Sequence, residues 1–359
     1  MGDFEAMPVA ETDVPRDDRD IDRILALNLA EYGPASPRPS TDVIATRADF
    51  AWRCDENPAG RAVIPVIRDA QGEVSGFIWL IPLRVRVKGH DYRAATGANL
   101  LIEPASRGTF GLVKLLRGFD RALKDGHVPL HFSFVAEDTY QRLRAEDASR
   151  AYTVPLLVKP LEIAPPLKLF VPLVFFRTPF RRPTADIRVE RVDRFDERFD
   201  EFWRQVRDRY RAAVVRDRAF LSWRFAPIGG RRYDVLVAWS KERMLGYVVI
   251  RCANVRGKDT GLVLDMLLLD DGDGQEAGRC LVEHAELLFR QRRMWSMVSL
   301  VAPHTVEYKA LVRSGCRNLT RVSPRPFRFA FFVHHTDEEQ LASLATGDWF
   351  VTFADFESL

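Results

Sequence analysis

The sequence is short of cysteine, of long apolar runs and of charge of one sign. Its four cysteines stand alone at positions 54, 252, 280 and 316, and no two have the spacing of a metal site or a redox pair. We therefore expect a reduced, cytoplasmic protein without a metal. No apolar run is long enough for a membrane-spanning helix, and the acidic N-terminal stretch lacks the apolar core of a signal peptide.

The net charge of +3 is small for 359 residues, and acidic and basic side chains are mixed along the chain. This balance does not favour nucleic acid as a partner, and it suits a small anionic ligand equally well. Hydrophobic residues make up 47% of the chain, which is enough for two cores, and the length indicates two domains.

One phrase of the sequence occurs twice, as FAWRCDENPAGR and as FLSWRFAPIGGR, with Trp52 and Trp223 lying 171 residues apart. Behind each phrase come an apolar run, a polar turn and a second apolar run, which begins at Gly76 or at Gly246. A repeated Trp-Arg pair is most simply a packing device that anchors a sheet, with the indole in the core and the arginine at the surface.

The similarity continues beyond that phrase. Each half next offers a further strand, an amphipathic helix, a short strand, a short helix and a closing apolar stretch. In the amphipathic helix of the first half, Leu112, Leu115, Leu116, Phe119 and Leu123 recur at helical spacing and predict its buried face. One α/β unit copied in tandem explains this order better than chance does.

The tandem interpretation divides the chain into five parts. A proline-rich, apolar stretch with Arg177, Arg181 and Arg182 separates the halves, and we expect it to pack on a domain or, alternatively, to touch a membrane surface through residues 167–182. The expected parts are a polar tail at 1–20, a first domain at 21–161, a linker at 162–186, a second domain at 187–335 and a C-terminal tail at 336–359.

Three stretches carry a resemblance to a known superfamily: W-R-x-x-x-N-P-x-G at 52–60, LLIEPASRGTFGLVKLL in the first half, and DWFVTFADFESL near the C-terminus. With them the chain resembles the Gcn5-related N-acyltransferases (GNAT), as a tandem two-domain member of an uncharacterised subgroup. The resemblance implies an α/β (α+β) fold of two GNAT-like domains, each with a mixed, mostly antiparallel central sheet flanked by helices.

The second of these stretches resembles the acyl-CoA signature of the superfamily, in which a strand and a glycine-containing loop precede a helix. A helix start offers unpaired N–H groups and a positive dipole end to a pyrophosphate, and glycine allows the backbone to approach closely. The resemblance implies acetyl-CoA or another acyl-CoA as co-substrate, with either Ser106 or Arg107 in the Arg/Gln position of the loop. The implied cofactor contacts are Leu101, Ile102, Ser106, Arg107, Gly108, Thr109, Phe110 and Gly111.

The corresponding loop of the second half, DDGDGQEAG, has glycines but three aspartates and no arginine. Carboxylates repel a pyrophosphate. We therefore expect the second half to be a structural partner or a platform for the acceptor rather than a second CoA site.

Acyl transfer to an amine needs a polarised thioester, a base, and an acid for the departing thiolate. In the superfamily the thioester lies where two strands splay, which implies a backbone N–H near 99–103 as the oxyanion donor. Glu103 is the first choice for the general base, Tyr140 for the acid, and His131 is a further candidate base. Asp265 is a charge inside an apolar strand, so it contacts the acceptor or pairs with an arginine. Each of these side chains also has an ordinary interpretation as a packed or ion-paired residue.

The sequence therefore predicts an acyl-CoA-dependent N-acyltransferase. The acceptor would be a small-molecule amine, such as an amino sugar, an amino acid or a cell-envelope precursor, bound between the halves of a monomer or homodimer. Two alternatives remain: a non-catalytic tandem GNAT-fold binding or scaffold protein, and a transferase that takes its acyl group from an acyl carrier protein or an aminoacyl-tRNA.

Overall fold

The fold is described from a computed structural model. The proposed membrane contact at 167–182 and the loop residues Gly108, Thr109 and Phe110 lie outside the described residues. Within the described part of the chain, no helix combines the length and the apolar character that crossing a bilayer would need. The structure describes residues 14–15, 17–36, 40, 43–107, 111–147, 150–162, 186–323, 326–334 and 338–356.

The leading half follows the predicted order of elements. Its first two helices begin at polar caps, Asp17 and a capping box of Thr46 with Asp49, whose side chains satisfy free N–H groups. The elements are α1 (Asp18–Tyr32), α2 (Arg47–Cys54), β1 (Val66–Arg68), β2 (Val74–Val87), β3 (His90–Ile102), α3 (Gly111–Asp125), β4 (Leu130–Phe134), α4 (Glu137–Glu146), β5 (Ala151–Val154) and β6 (Leu156–Pro160).

The second half repeats this order and adds short elements, two of them at its C-terminal end. The elements are β7 (Ile187–Val192), α5 (Glu197–Val206), β8 (Ala212–Val214), α6 (Arg218–Arg224), β9 (Asp234–Ser240), β10 (Arg243–Val255), β11 (Lys258–Leu268), α7 (Gly272–Gln291), β12 (Ser296–Leu300), α8 (Val306–Arg313), β13 (Arg317–Asn318), β14 (Phe327–Val333), α9 (Glu339–Ala342) and β15 (Trp349–Phe350).

The long central hairpins of the two halves turn in the same way. Lys88 and Gly89 join β2 to β3 with φ of 45° and 89°, and Arg256 and Gly257 join β10 to β11 with φ of 52° and 79°. Positive φ at both central residues gives the two-residue turn whose twist matches that of the flanking strands. The same local device therefore occurs at corresponding places in the two copies.

The strands form two sheets, and each sheet contains strands of both halves. The first sheet has the order β15-β8-β2-β3-β4-β14-β5, with β1 beside β2, and the second has the order β13-β6-β12-β11-β10-β9-β7. Strand β14 pairs with β4, and strand β6 pairs with β12. The expected domain boundaries at 161 and 187 thus separate the two copies along the chain, but each sheet takes strands from both sides of these boundaries. An apolar pattern predicts a strand without specifying its neighbour.

Both sheets are mixed, which confirms the predicted fold class. The pairs β3–β4 and β11–β12 are parallel, and most other pairs are antiparallel. Helix α3 covers one face of the first sheet with Leu115, Phe119 and Leu123, as its spacing predicts. Leu112 and Leu116, which belong to the same predicted face, are instead exposed.

The repeated Trp-Arg phrase lies where the two halves meet. The indole N–H of Trp52 donates to the carbonyl oxygen of Trp223 at 2.6 Å, and the indole N–H of Trp223 donates to the carbonyl oxygen of Trp52 at 2.8 Å. The arginines that follow, Arg53 and Arg224, are 1% and 4% exposed, so the expectation of surface arginines is wrong. The phrase joins the two copies to each other, and in the first copy it also contacts its own sheet, where Phe50 packs on Trp79 of β2.

Candidate active site

In each sheet the central parallel strands stop pairing part-way along. Strands β3 and β4 pair as far as Thr96 and Phe132, and β11 and β12 pair as far as Val263 and Ser299. A break in the antiparallel register follows on β3 and on β11, where one strand carries an extra residue. Such a bulge bends the strand away from its neighbour. We call the space beyond the last pair of β3 and β4 the first slot, and its counterpart between β11 and β12 the second slot.

The first slot is lined by small side chains and stays partly open. Gly97, Ala98 and Asn99 are half-buried, and Leu100 is 43% exposed. At its closed end, a Cβ placed on Gly97 would lie 2.8 Å from the Oγ of Ser133 and 3.2 Å from the ring of Phe119, so a larger residue there would require these side chains to shift. No strand of the described ranges pairs with β3 beyond this point on the side of β4.

The second slot is filled by the C-terminal segment, which we define as residues 349–356. Val301, at the end of β12, forms a bridge with Thr352, and the amide of Ala302 donates to the carbonyl oxygen of Val351 at 2.9 Å. Residues 264–268 of β11 are all buried. The chain itself thus occupies in the second half the place that is open in the first.

Asp265 lies in this filled slot and has the arginine partner that its apolar strand requires. Its carboxylate accepts from the hydroxyls of Tyr247 and Thr352, both at 2.8 Å, and lies 3.7 Å from the guanidinium of Arg216. Arg216 also donates to Asp355 at 2.6 Å, and burial raises the pKa of Asp355. One buried cation therefore serves two buried carboxylates, an arrangement that holds the C-terminal segment in place.

A further carboxylate, that of Glu307, forms a hydrogen bond with the backbone amide at the end of β11 in the second slot. Glu307 of α8 accepts from the backbone N–H of Leu268 at 3.0 Å and from the hydroxyl of Tyr210 at 2.8 Å. Leu268 pairs with Gly246 in the second sheet. In the first sheet Ile102, a predicted cofactor contact, pairs with Gly76 in the same way. The amide that corresponds to that of Ile102 is thus unavailable to a ligand in the second half.

The loop after β3 carries the predicted cofactor contacts. The stretch Pro104–Ser106 forms one turn of 3-10 helix, and Arg107, which is exposed, donates from Nε to the carbonyl oxygen of Ile102 at 2.8 Å. Helix α3 begins at Gly111, where a Cβ would lie 2.8 Å from the carbonyl oxygen of Ser106. Leu101 is buried in the sheet. The described loop residues therefore put one exposed cation beside the open slot.

The start of helix α7 in the second half is occupied by its own carboxylate. Asp271 accepts from the backbone N–H of Gly274 at 2.7 Å and pairs with Arg243 at 2.8 Å. The carboxylate stands where a phosphate would have to approach the helix, which agrees with the expectation drawn from the aspartates of this loop.

Comparisons with known proteins bear on the fold. No family model and no curated protein matches the sequence. A GCN5-related N-acetyltransferase from Anabaena variabilis ATCC 29413 is similar with a TM-score of 0.59 and 12% identity, over 89% of this chain and 72% of that chain. An N-myristoyltransferase from Saccharomyces cerevisiae with bound myristoyl-CoA is similar with a TM-score of 0.56 and 14% identity, over 92% of this chain and 81% of that chain. The chain has the GNAT fold. At such identities the likeness concerns the fold and not the substrate.

Within this GNAT fold, Glu103 lies at the end of β3 beside the first slot. The guanidinium of Arg23, from α1, donates to its carboxylate at 2.7 Å, and the Glu103 side chain is 28% exposed. Its backbone amide donates to the carbonyl oxygen of Ser75. Glu103 is therefore held in position but remains in reach of water.

Tyr140 contacts Arg328 and Thr153, two residues that line a cleft formed by both halves of the GNAT fold. The cleft holds about 870 Å³ and adjoins the end of β4. Arg328 lies 4.2 Å above the ring of Tyr140 and pairs with Glu137, and the Tyr140 hydroxyl accepts from Thr153 at 3.4 Å. The cleft is lined by Val135, Ala136, Glu137, Thr153, Thr320, Arg321, Ser323, Pro326 and Arg328.

His131 lies apart from both the slot and the cleft, where β3 and β4 are still paired. Its Nδ1 is 2.6 Å from Nε2 of His334, and its ring packs between Phe119 and Phe332. Burial and the neighbouring His334 lower the pKa of His131 to about 3. The side chain is thus a neutral core group. Among the described residues, no three His, Cys, Asp or Glu side chains are grouped to hold a metal.

Proposed function

We propose that this protein is an N-acyltransferase that binds an acyl-CoA thioester in the first slot and transfers the acyl group to an amine. The GNAT fold supports acyl transfer in general. The observation that carries the proposal is the contrast between the copies: the first slot has small, half-buried residues, and the second is closed by Glu307 of α8 and by the C-terminal segment with Thr352.

The donor side of the proposal rests on the strand end and the loop after it. Backbone N–H groups of 98–102 would polarise the thioester carbonyl, as preorganised donors do in acyl transfer. Arg107 and the start of α3 would face the pyrophosphate, since a cation and a helix N-terminus both favour an anion. Gly108, Thr109 and Phe110 stay proposed contacts of the same group.

The acceptor side rests on the cleft of about 870 Å³ between the halves. Its volume suits a small-molecule amine, for which pockets of roughly 300–1,000 Å³ are usual. Glu137, which is half exposed at the cleft, keeps a carboxylate there, because hydrogen bonds from Gln141 and Arg328 lower its pKa. A carboxylate at this place would attract a protonated amine before it reacts.

The reaction forms one bond and breaks one. The amine nitrogen attacks the thioester carbonyl, a C–N bond forms, the C–S bond breaks, and the CoA thiolate leaves. A protonated amine first loses one proton to water, and the nitrogen loses a second after the C–N bond forms, which Glu103 would accept through a water molecule. The thiolate gains a proton, which the hydroxyl of Tyr140 would supply. Asp265 and His131 have no step in this scheme.

A binding protein without turnover is the second candidate. It is favoured by the engagement of Glu103 with Arg23 and by the core position of His131, which leave few groups free for proton transfer. Both candidates predict CoA binding. Only the transferase predicts a new amide bond.

Thermal unfolding with CoA, acetyl-CoA and longer acyl-CoAs tests the proposal. A ligand that binds only the folded state at roughly a hundred times its Kd raises the free energy of unfolding by about 2.7 kcal/mol. We expect such a rise for wild type and its loss in Arg107→Glu, which replaces the loop cation with an anion. Arg256→Glu, the same charge change in an exposed turn of the second half, is the matched control.

Incubation with acetyl-CoA and a panel of amines, followed by mass spectrometry, then separates the two candidates. Acetylated amine together with stabilisation supports the transferase, and stabilisation without product supports the binding protein. An unchanged melting temperature with every thioester contradicts both, and an equal loss of stabilisation in Arg107→Glu and Arg256→Glu contradicts the assignment of the loop.

A further inference from the structure

The exposed face of α3 carries a group of apolar side chains beside the first slot. Leu112, Val113 and Leu116 are 46%, 44% and 47% exposed, and Leu100 of β3 is 43% exposed. We call these four residues the apolar patch. Single exposed apolar side chains are ordinary, but grouped ones mark surfaces that contact a partner or a ligand.

The apolar patch lies at the mouth of the first slot. Ile102 packs against the cluster of buried residues that contains Leu115 and Phe119 of α3. A Cβ on Gly97 would lie 3.2 Å from the ring of Phe119, and one on Gly111 would lie 3.8 Å from Ile102, so α3 runs beside β3 from Gly97 to Ile102, the stretch that contains Leu100. Leu112 stands three residues before Leu115, at the rim of the buried stripe of the helix. The patch thus joins the slot-lining strand to the outer surface.

Basic side chains continue this surface along the helix. Lys114, Arg117, Arg121 and Lys124 are all exposed and follow one another at intervals of three or four residues. Residues at these intervals share one side of a helix. Helix α3 carries four basic and two acidic residues in all. The surface beside the slot is therefore apolar at its edge and basic beyond it.

The copied helix in the second half has the opposite character. Helix α7 carries four acidic and two basic residues. Its arginines are taken up by its own glutamates, Arg279 by Glu276 at 2.6 Å and Arg290 by Glu286 at 2.7 Å. The basic, apolar surface thus accompanies the open slot and is missing where the slot is filled. This pairing indicates a surface that serves the donor.

We infer that the apolar patch and the basic side of α3 dock an acidic acyl carrier protein, which delivers its acyl group into the first slot on a phosphopantetheine arm. The inference rests on the proposed function, because that arm is the part which CoA and a carrier protein share. The carrier is joined covalently to its arm, so it must dock at the mouth of the slot. Basic side chains complement an acidic partner, and the patch supplies apolar contact.

Binding of octanoyl-loaded acyl carrier protein to the full-length chain tests the inference, with octanoyl-CoA measured alongside. The variant Lys114→Glu/Arg117→Glu reverses two charges of the docking side, and Lys241→Glu/Arg256→Glu makes the same change in exposed turns of the second half. We expect the first variant to weaken carrier binding by roughly tenfold or more at low salt, because charge pairs set association between complementary surfaces. The second variant and the affinity for octanoyl-CoA should change by less than about threefold.

Other outcomes overturn the inference. Equal loss of carrier and octanoyl-CoA binding would assign the basic side to the CoA site, and equal carrier binding by both variants would remove α3 from docking. Binding to vesicles of phosphatidylcholine and phosphatidylserine, with none to the carrier, would assign the surface to a membrane. If the chain binds octanoyl-CoA but not the carrier, only this inference is wrong. If it binds neither thioester, the proposed function is wrong as well.

Discussion

Trp52 and Trp223 each donate an indole N–H to the backbone carbonyl oxygen of the other, and their ring centres lie 5.8 Å apart. Each copy of the repeated phrase therefore supplies one donor and one acceptor to the same buried contact. The contact ties helix α2 of the first half to helix α6 of the second.

This reciprocity makes the two tryptophans depend on each other. Trp52→Phe keeps an aromatic ring but removes the indole donor to the Trp223 carbonyl, which keeps the bond from the backbone amide of Ala226 at 3.2 Å, and we expect a loss of about 0.5–1.5 kcal/mol in the free energy of unfolding. Trp223→Phe should cost a similar amount, and the double variant should cost less than the sum. Denaturant unfolding measures all three, with Trp295→Phe, at an exposed position, as the control. Strict additivity would argue against a shared contact.

Arg224 holds the C-terminal segment through backbone carbonyls. It donates to Ala354 and Phe356 at 2.8 Å each, and the side chain is buried. We expect Arg224→Met to destabilise the protein by about 3 kcal/mol, since buried acceptors lose a charged donor, and to speed proteolysis near the C-terminus. Arg218→Met, on the exposed side of the same helix, should cost about 1 kcal/mol or less. If the C-terminus is equally resistant to proteolysis in both variants, Arg224 does not have this role.

Arg216, the buried cation of the second slot, should contribute more to the free energy of unfolding than either of its carboxylate partners alone. Arg216→Met leaves Asp265 and Asp355 buried without their cation, and we expect a loss of about 3–5 kcal/mol. Adding Asp355→Asn to that variant should recover part of the loss, because one buried charge is then gone. Arg211→Met removes a surface pair with Asp348 and serves as the control. A loss in Arg216→Met no larger than in this control would mean that the carboxylates are not ionised together.

His131 should make stability depend on pH. Its pKa is about 3 in the folded protein and about 6.5 when unfolded, so between these values the unfolded state binds the extra proton. This contribution is present above pH 6.5 and is lost as the pH falls below it, by about 1.4 kcal/mol per pH unit. Unfolding of wild type and His131→Phe between pH 7 and 5 checks this, with the exposed His90→Gln as control. A stability difference that stays constant with pH would contradict a buried neutral imidazole.

Much of the fold could be predicted from the internal repeat of the sequence and from the spacing of its apolar residues. The two copies of the Trp-Arg phrase and the matching glycines at 76 and 246 indicated one unit used twice, and the sheets confirm it. The exchange of β6 and β14 between the sheets could not be predicted, because apolar alternation marks a strand but not its partner. The helical spacing of α3 likewise grouped Leu112 and Leu116 with core residues, since it does not distinguish a core from the rim of a slot.

Part of the candidate site could likewise be predicted from the sequence, and part of it could not. The aspartates of the loop 270–273 predicted that the second half would not bind a phosphate group, and Asp271 does cap α7 there. The charge at Asp265 predicted either an acceptor contact or an arginine partner, and Arg216 lies 3.7 Å from it. Arg216, Thr352 and Asp355 were not predicted, because they come together only when the C-terminal segment fills the second slot. The available signal was the apolar stretch DWFVTFADF, whose alternating small and aromatic residues suit a buried strand end.

Amide hydrogen exchange of the full-length chain, with and without acetyl-CoA, tests most directly whether the first copy alone binds a thioester. A bound thioester slows exchange at the amides it contacts. We predict slower exchange at 97–107 and no change at 264–273, where the chain already fills the slot. Slower exchange at 264–273, or at neither stretch under saturating acetyl-CoA, would contradict the account.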